Sequence, residues 1–224
     1  MQTIRSVFAI FYREFKITFY NYNDVVSIAL FFILGLLIFI FAIGPNKEII
    51  NVIGVGLIWS LLLLSSTLSI KKFYQDDFED NNIFLLHMNG LSYELIVLVK
   101  IFSNWLFFQL PFLLILPFVL ILLDIKTINI YFALISFVLS SMILTCIGSI
   151  SGSMNLINNK NYTFGSLIVM ILSIPLIIFS VNIVNNSDSN VMPQIQILTG
   201  IFLLFLAISP WISAACIKLA MRSK

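Results

Sequence analysis

Charged side chains that could take part in chemistry are concentrated in one short run, residues 71–80. Two lysines open this run, and four of the ten acidic residues of the chain follow at Asp76, Asp77, Glu79 and Asp80. The chemistry offered by such a run is electrostatic recognition of a partner surface. A solvated charged face is the simpler alternative. Both interpretations stay open at this point. Almost all residues on either side of the run are apolar.

Catalytic or ligand-binding groups are scarce elsewhere. His87 is the only histidine, and imidazole is the commonest metal ligand. It has no second histidine or nearby cysteine, which favours an interface histidine on a short helix. Cys146 and Cys216 fall in different apolar segments and are expected to be buried and unpaired. The chain has no GxxxxGK[ST] loop for ATP. We therefore expect a non-enzymatic protein with no catalytic, cofactor-binding or metal-binding residues of its own.

Composition places the chain among polytopic membrane proteins. Hydrophobic residues make up 60% of it and charged residues 10%, whereas soluble domains carry about 25% charged residues. Six segments have the roughly 20 apolar residues that a span needs: 25–43, 49–70, 101–123, 128–153, 162–181 and 195–217. Backbone groups in lipid must be hydrogen-bonded within the segment. We predict an all-α protein with six transmembrane helices.

Basic residues predict the orientation of these spans. Lys47 and Lys126 fall on one side of the membrane, and the other ten of the twelve basic residues fall on the opposite side. The side with more Lys and Arg is normally cytoplasmic. Both termini and the 71–100 loop are therefore predicted to face the cytoplasm, or the matrix in a mitochondrial protein.

Residues 1–24 form no span but are patterned as an amphipathic helix. Apolar side chains at Ile4, Phe8, Phe11, Phe15 and Phe19 share one stripe. Arg13 lies opposite this stripe, flanked by Arg5 and Lys16. This pattern is typical of a helix that lies in the membrane interface with its basic residues on the wet side. It could anchor the protein, couple a cytoplasmic partner to the first span, or do both. Residues 25–224 form the predicted transmembrane domain.

The 71–100 loop is predicted to contain a short amphipathic helix over residues 73–88. A turn at Asn89-Gly90 follows, and Ser92 is a suitable N-cap for a helix that runs into the third span. Docking of a cytoplasmic subunit is favoured, because Phe78, Phe84 and Leu85 would otherwise be exposed or lie on lipid. The predicted coupling residues are Phe73, Tyr74, Asp76, Asp77, Phe78, Glu79, Asp80, Phe84 and Leu85.

Prolines and polar residues within the spans indicate where helices bend. Each proline removes a backbone donor, so the predicted hinges are Pro111, Pro117, Pro175 and Pro210. Asn104 and Gln109 are expected to face protein rather than lipid. These residues fit two interpretations. One is ordinary packing of kinked helices, and the other is a moving helix that lines a pathway or binds a partner.

Motifs along nearly the whole chain resemble one known family. They are Ile43-Gly44-Pro45, Gly56-Leu57-Ile58-Trp59, Leu64-Ser65-Ser66, Phe73-Tyr74-Gln75-Asp76-Asp77-Phe78-Glu79-Asp80, Leu110-Pro111, Leu116-Pro117, Ser209-Pro210 and Ala214-Ala215. Together they resemble the haem exporter protein B (CcmB) family, whose members are permease-like membrane subunits of an ABC-type complex in cytochrome c maturation. Asn81 stands where that family is expected to have glycine, and asparagine still tolerates a left-handed turn.

The resemblance implies partners rather than a bound cofactor. It implies a cytoplasmic ATPase (CcmA-like) that binds the ATP, and the membrane proteins CcmC, CcmD and CcmE, with haem as a candidate cargo. It implies an ABC-2-like permease fold in a lipid bilayer, in a bacterial inner membrane or a mitochondrial inner membrane, and no nucleic acid. Alternatives are an ABC-2 permease for lipid or polysaccharide and a structural membrane subunit that transports nothing.

Overall fold

A computed structural model of the chain describes residues 2–44, 47–69, 73–123, 127–157, 163–185 and 191–222. Within these ranges, side chains are described except at positions 2–6, 47, 48, 51, 69, 127–129, 163 and 164. Seven of the basic side chains used to predict the orientation lie outside the described part: Arg5, Lys47, Lys71, Lys72, Lys126, Lys160 and Lys224.

All regular structure in the described ranges is helical. The helices are α1 (Gln2–Tyr20), α2 (Tyr22–Ile43), α3 (Lys47–Ser69), α4 (Gln75–Glu79), α5 (Asn82–Met88), α6 (Tyr93–Asn104), α7 (Leu110–Leu122), α8 (Thr127–Ile157), α9 (Thr163–Asn185) and α10 (Met192–Arg222). A π-helical turn, Trp105–Gln109, joins α6 to α7.

Five of the six predicted spans fall on one helix each, and the third, 101–123, falls on α6, the π-helical turn and α7 together. Within the described ranges, five segments are long and apolar enough to cross a membrane: Tyr22–Ile43, Tyr93–Leu122, Ile130–Ile157, Gly165–Asn185 and Met192–Arg222. The described apolar stretch of α3, Val52–Leu68, is shorter. The prediction of an all-α polytopic membrane protein is confirmed. The apolar segment of the third span begins at Tyr93, as expected for the predicted helix that starts after Ser92 and continues into that span.

Helix α8 forms the centre of the bundle. It packs against α3, α6, α7, α9 and α10, and over half of its most apolar stretch is buried, against a third or less in the other four segments. Small residues and interhelical hydrogen bonds drive such packing in lipid. Trp59 Nε1 donates to Ser140 Oγ at 3.2 Å, and Trp105 Nε1 donates to Ser141 Oγ at 3.0 Å. Apolar side chains such as Phe41, Phe118 and Trp211 are exposed on the outer surface.

The predicted hinge prolines occupy two kinds of position. Pro111 lies in the first turn of α7, directly after the π-helical turn, and Pro117, Pro175 and Pro210 lie inside α7, α9 and α10. The π-helical turn fits Pro111, because proline cannot donate the regular backbone hydrogen bond to the residue four positions earlier. Gln109, at the end of this turn, is buried as predicted.

Candidate functional site

The loop between α3 and α6 folds into two short helices, so the predicted single helix over residues 73–88 is wrong. Asn81 separates α4 from α5 with a left-handed backbone, φ 58°, which asparagine adopts more readily than other non-glycine residues. The predicted turn is confirmed at Gly90, φ 86°. The predicted N-cap is also confirmed, because Ser92 Oγ accepts from Leu95 N at 3.3 Å.

Two acidic and two basic side chains meet beneath α4 and form what we call the ion cluster: Arg13, Glu14, Asp77 and Lys100. Arg13 and Lys100 both contact the carboxylate of Asp77. Arg13 Nη1 lies 3.1 Å and Lys100 Nζ 3.4 Å from Glu14 Oε1. Asn82 Nδ2 also donates to Asp77 Oδ1 at 3.2 Å. The cluster therefore joins α1, α4 and α6 with no net charge.

The ion cluster is largely buried, so its charged side chains interact strongly with one another. The side chain of Asp77 is 10% exposed and that of Lys100 5%. Burial alone would raise the pKa of the Asp77 carboxyl, but the charges of Lys100 and Arg13 outweigh it and lower that pKa to about 2. Burial works against the charged form of Arg13 too, yet its bond to Asp77 raises the pKa of the guanidinium overall. Asp77 thus keeps its charge despite its burial because its cationic partners are present.

Tyr74 connects the same loop to the centre of the bundle. Its ring is 1% exposed, and its hydroxyl lies 2.7 Å from Ser149 Oγ on α8. Ser149 Oγ in turn lies 3.0 Å from Ser213 Oγ on α10. Lys100 Nζ lies 5.8 Å from the centre of the Tyr74 ring. The start of the loop is therefore held between α6, α8 and α10.

The nine predicted coupling residues divide into two groups. Phe73, Tyr74, Asp77 and Phe78 are buried within the protein. Five others are exposed and form what we call the docking face: Asp76, Glu79, Asp80, Phe84 and Leu85. Sequence patterning did not separate the two groups, because acidic and aromatic residues occur in both. Of these nine residues, the five of the docking face are the exposed ones.

Arg13 on α1 is half-buried against α4 rather than fully solvated. Its side chain is 29% exposed and is paired with Asp77, because a buried carboxylate is a stronger partner than water. Ile10 is buried against Leu91, Ile96 and Val99. α1 therefore packs on the start of the third span. Part of the predicted aromatic stripe remains exposed, including Phe8 and Phe19.

His87 lies on α5 and makes packing contacts. Its ring stacks on Tyr93 with 4.1 Å between ring centres, and its Nδ1 lies 2.8 Å from the carbonyl oxygen of Leu91. Nearby, Lys218 on α10 forms an ion pair with Glu94, with 2.8 Å between Nζ and Oε1. These contacts attach α5 to α6 and bring the end of α10 beside them.

Comparison with known proteins decides the family. The sequence model of the CcmB protein family matches residues 5–220. The chain belongs to the CcmB family. It is 29% identical over 212 residues to Heme exporter protein B of Haemophilus influenzae, covering 93% of this chain and 96% of that protein. It is 26% identical over 194 residues to Heme exporter protein B of Rhodobacter capsulatus, covering 86% and 89%. The resemblance to this family is thereby confirmed.

Proposed function

We propose that this CcmB-family chain is the membrane subunit of a haem-export complex that serves cytochrome c maturation. The observation that carries the proposal is the family match over residues 5–220, together with relatives named Heme exporter protein B over most of their length. In this proposal ATP is hydrolysed by a separate CcmA-like chain, and CcmC-, CcmD- and CcmE-like proteins complete the complex.

We further propose that the docking face binds the ATPase. Three exposed carboxylates lie on α4 and at its C-cap, and two exposed apolar side chains, Phe84 and Leu85, follow on α5 with 46% and 56% exposure. Exposed apolar residues beside charges are typical of a protein-binding surface. Because the ion cluster and Tyr74 fix this loop to α1, α6, α8 and α10, movement of the loop would be transmitted to the spans.

The proposed orientation places both termini and the docking face in the cytoplasm of a bacterium, with the spans in the inner membrane. It rests on the excess of lysine and arginine in the segments predicted to lie on that side of the membrane. Residues 1–24 would then lie in the cytoplasmic interface, and residues 25–224 would form the transmembrane domain. The contacts of Ile10 and Arg13 with the loop and α6 support this placement of α1 beside the docking face.

A pair of matched variants tests the docking face. Phe84→Ala/Leu85→Ala removes its apolar side chains, and Phe118→Ala/Leu114→Ala removes the same residue types from exposed positions on α7. The first variant should lose co-purification with the ATPase and fail to restore c-type cytochromes in a deletion strain. The second should behave as wild type. Equal ATPase recovery with both variants would refute the docking face.

Deletion of the gene tests the cargo. Loss of c-type cytochromes with unchanged lipid and polysaccharide export is the expected result. Intact c-type cytochromes would instead favour one of the other permease functions.

A further inference from the structure

A cleft beside the ion cluster has the composition of a cation-binding site. It lies between α1, α4 and the π-helical turn and has a volume of about 490 Å³, within the range of small-ligand sites, roughly 300–1,000 Å³. Among the described residues, six carboxyl groups and two cationic side chains line it. The cations are Arg13 and Lys100, which contact Glu14 and Asp77. The described lining is therefore rich in acidic groups, and Asp76 and Asp80 are among its exposed members on the side of α4.

Aromatic and hydroxyl groups complete this cleft. Phe73, Phe107 and Phe108 line it, and aromatic rings beside carboxylates attract organic cations. Ser103 also lines the cleft, is 2% exposed, and its hydroxyl has no hydrogen-bond partner among the described residues. Buried polar groups are normally hydrogen-bonded. A hydroxyl without a partner at this position indicates that the cleft lacks a donor or acceptor that its occupant would supply.

We propose that this cleft receives a basic side chain, a guanidinium or ammonium group, of the cytoplasmic partner. The proposal rests on the proposed function, since it assumes that a partner binds the docking face. Continuity with that face identifies the occupant: Asp76, Glu79 and Asp80 belong both to the docking face and to the lining of the cleft. A partner seated on α4 and α5 would therefore present its side chains at the mouth of the cleft.

Neutralising the outer acids tests the charge of the cleft separately from Phe84 and Leu85, the apolar side chains of the docking face. In lipid nanodiscs that hold the full chain, Asp76→Asn/Asp80→Asn should weaken ATPase binding about tenfold and reduce its dependence on salt. Glu94→Gln is the matched control, because Glu94 is an acid outside the cleft that pairs with Lys218. It should leave the affinity within about twofold of wild type. Unchanged folding of all variants is checked by their elution from a sizing column.

Two results would overturn the proposal. If Asp76→Asn/Asp80→Asn binds as wild type while Phe84→Ala/Leu85→Ala does not, the docking face stands and the cleft fails. If both bind as wild type, the docking face fails as well. Zero-length carbodiimide coupling then identifies the occupant. A cross-link from Asp76 or Asp80 to the ATPase supports the proposal, and an adduct with an aminophospholipid or with a lysine of this chain overturns it.

Discussion

The ion cluster makes a quantitative prediction for Asp77→Asn. The carboxyl of Asp77 has a pKa of about 2 instead of 3.8, and one pKa unit corresponds to about 1.4 kcal/mol. Ionisation of Asp77 therefore stabilises the folded protein by about 2–3 kcal/mol. Little of this is lost to solvent screening, because Asp77 and Lys100 are 10% and 5% exposed. Loss of one partner from a buried ion pair typically costs 3–5 kcal/mol. We expect Asp77→Asn to destabilise the protein by about 2–4 kcal/mol, since asparagine retains one acceptor oxygen.

The pH dependence of stability distinguishes this interaction from packing. A carboxyl whose pKa is lowered by folding contributes its full stabilisation above pH 3.8 and loses it as the pH falls towards 2. The thermal unfolding midpoint of the wild type in detergent should therefore fall between pH 5 and pH 2. Asp77→Asn should show a smaller fall over the same range, because it has no carboxyl to protonate. Asp76→Asn is the control, since Asp76 is exposed beside it.

A double-mutant cycle completes the test. Lys100→Met leaves Asp77 with Arg13 as its one cation in the ion cluster, and the double variant Asp77→Asn/Lys100→Met removes a charge of each sign. Groups in direct contact should give a coupling energy of at least about 1 kcal/mol. The double variant should then be less destabilised than the sum of the single variants. Additive effects, or identical pH profiles for Asp77→Asn and Asp76→Asn, would show that the cluster does not operate as described.

Two further variants probe the contacts between helices. Tyr74→Phe removes the hydroxyl bonded to Ser149 and should cost about 0.5–1.5 kcal/mol, with less ATPase stimulation per complex assembled. Gly165→Ala would place a Cβ 2.6 Å from Ser151 Oγ and as close to the side chain of Asn155. We expect a loss of about 1–3 kcal/mol, measured as a lower unfolding midpoint.

Matched substitutions serve as controls for both variants. Tyr12→Phe removes a hydroxyl from an exposed tyrosine on α1 and should leave stability and ATPase stimulation unchanged. Gly56→Ala adds a Cβ with no heavy atom within 4 Å and should be neutral or slightly stabilising, because alanine favours helix. If Gly165→Ala is as stable as Gly56→Ala, the close approach of α9 to α8 is not as described.

The spans could be predicted from sequence, but the ion cluster could not. Long apolar segments have few alternatives to helix in lipid, so length and composition were sufficient for the spans. Asp77 meets Arg13 across 64 positions of the chain, and such a pairing leaves no periodic pattern. Lys100 was the one residue whose position in the sequence pointed to a buried ion pair. It lies in a helix that continues into the third span, where a charge is expected to have a partner.

A helical wheel could also not predict which residues of the loop between α3 and α6 are buried. Tyr74 and Phe78 are four positions apart, which places them on one face of a helix. The prediction, however, assumed a single helix over residues 73–88. The left-handed turn at Asn81 breaks that register, and it turns α5 so that Phe84 and Leu85 are exposed. The resemblance to the CcmB family expected a glycine at this position, and a site where glycine is expected often has a positive φ. That expectation was the best available evidence for two helices.

The ionic character of the cluster fits the role proposed above for this loop, which is to transmit movement to the spans. An apolar cluster of similar size would often be as stable, but apolar contacts are non-directional and let neighbouring helices slide. The Asp77 carboxylate instead contacts Arg13, Lys100 and Asn82 together, and only one placement of α4 against α1 and α6 allows this. Displacing the loop alone would separate these charges at a cost of several kcal/mol. Moving α1 and α6 with the loop keeps the contacts, so it is the less costly response to a force on the docking face.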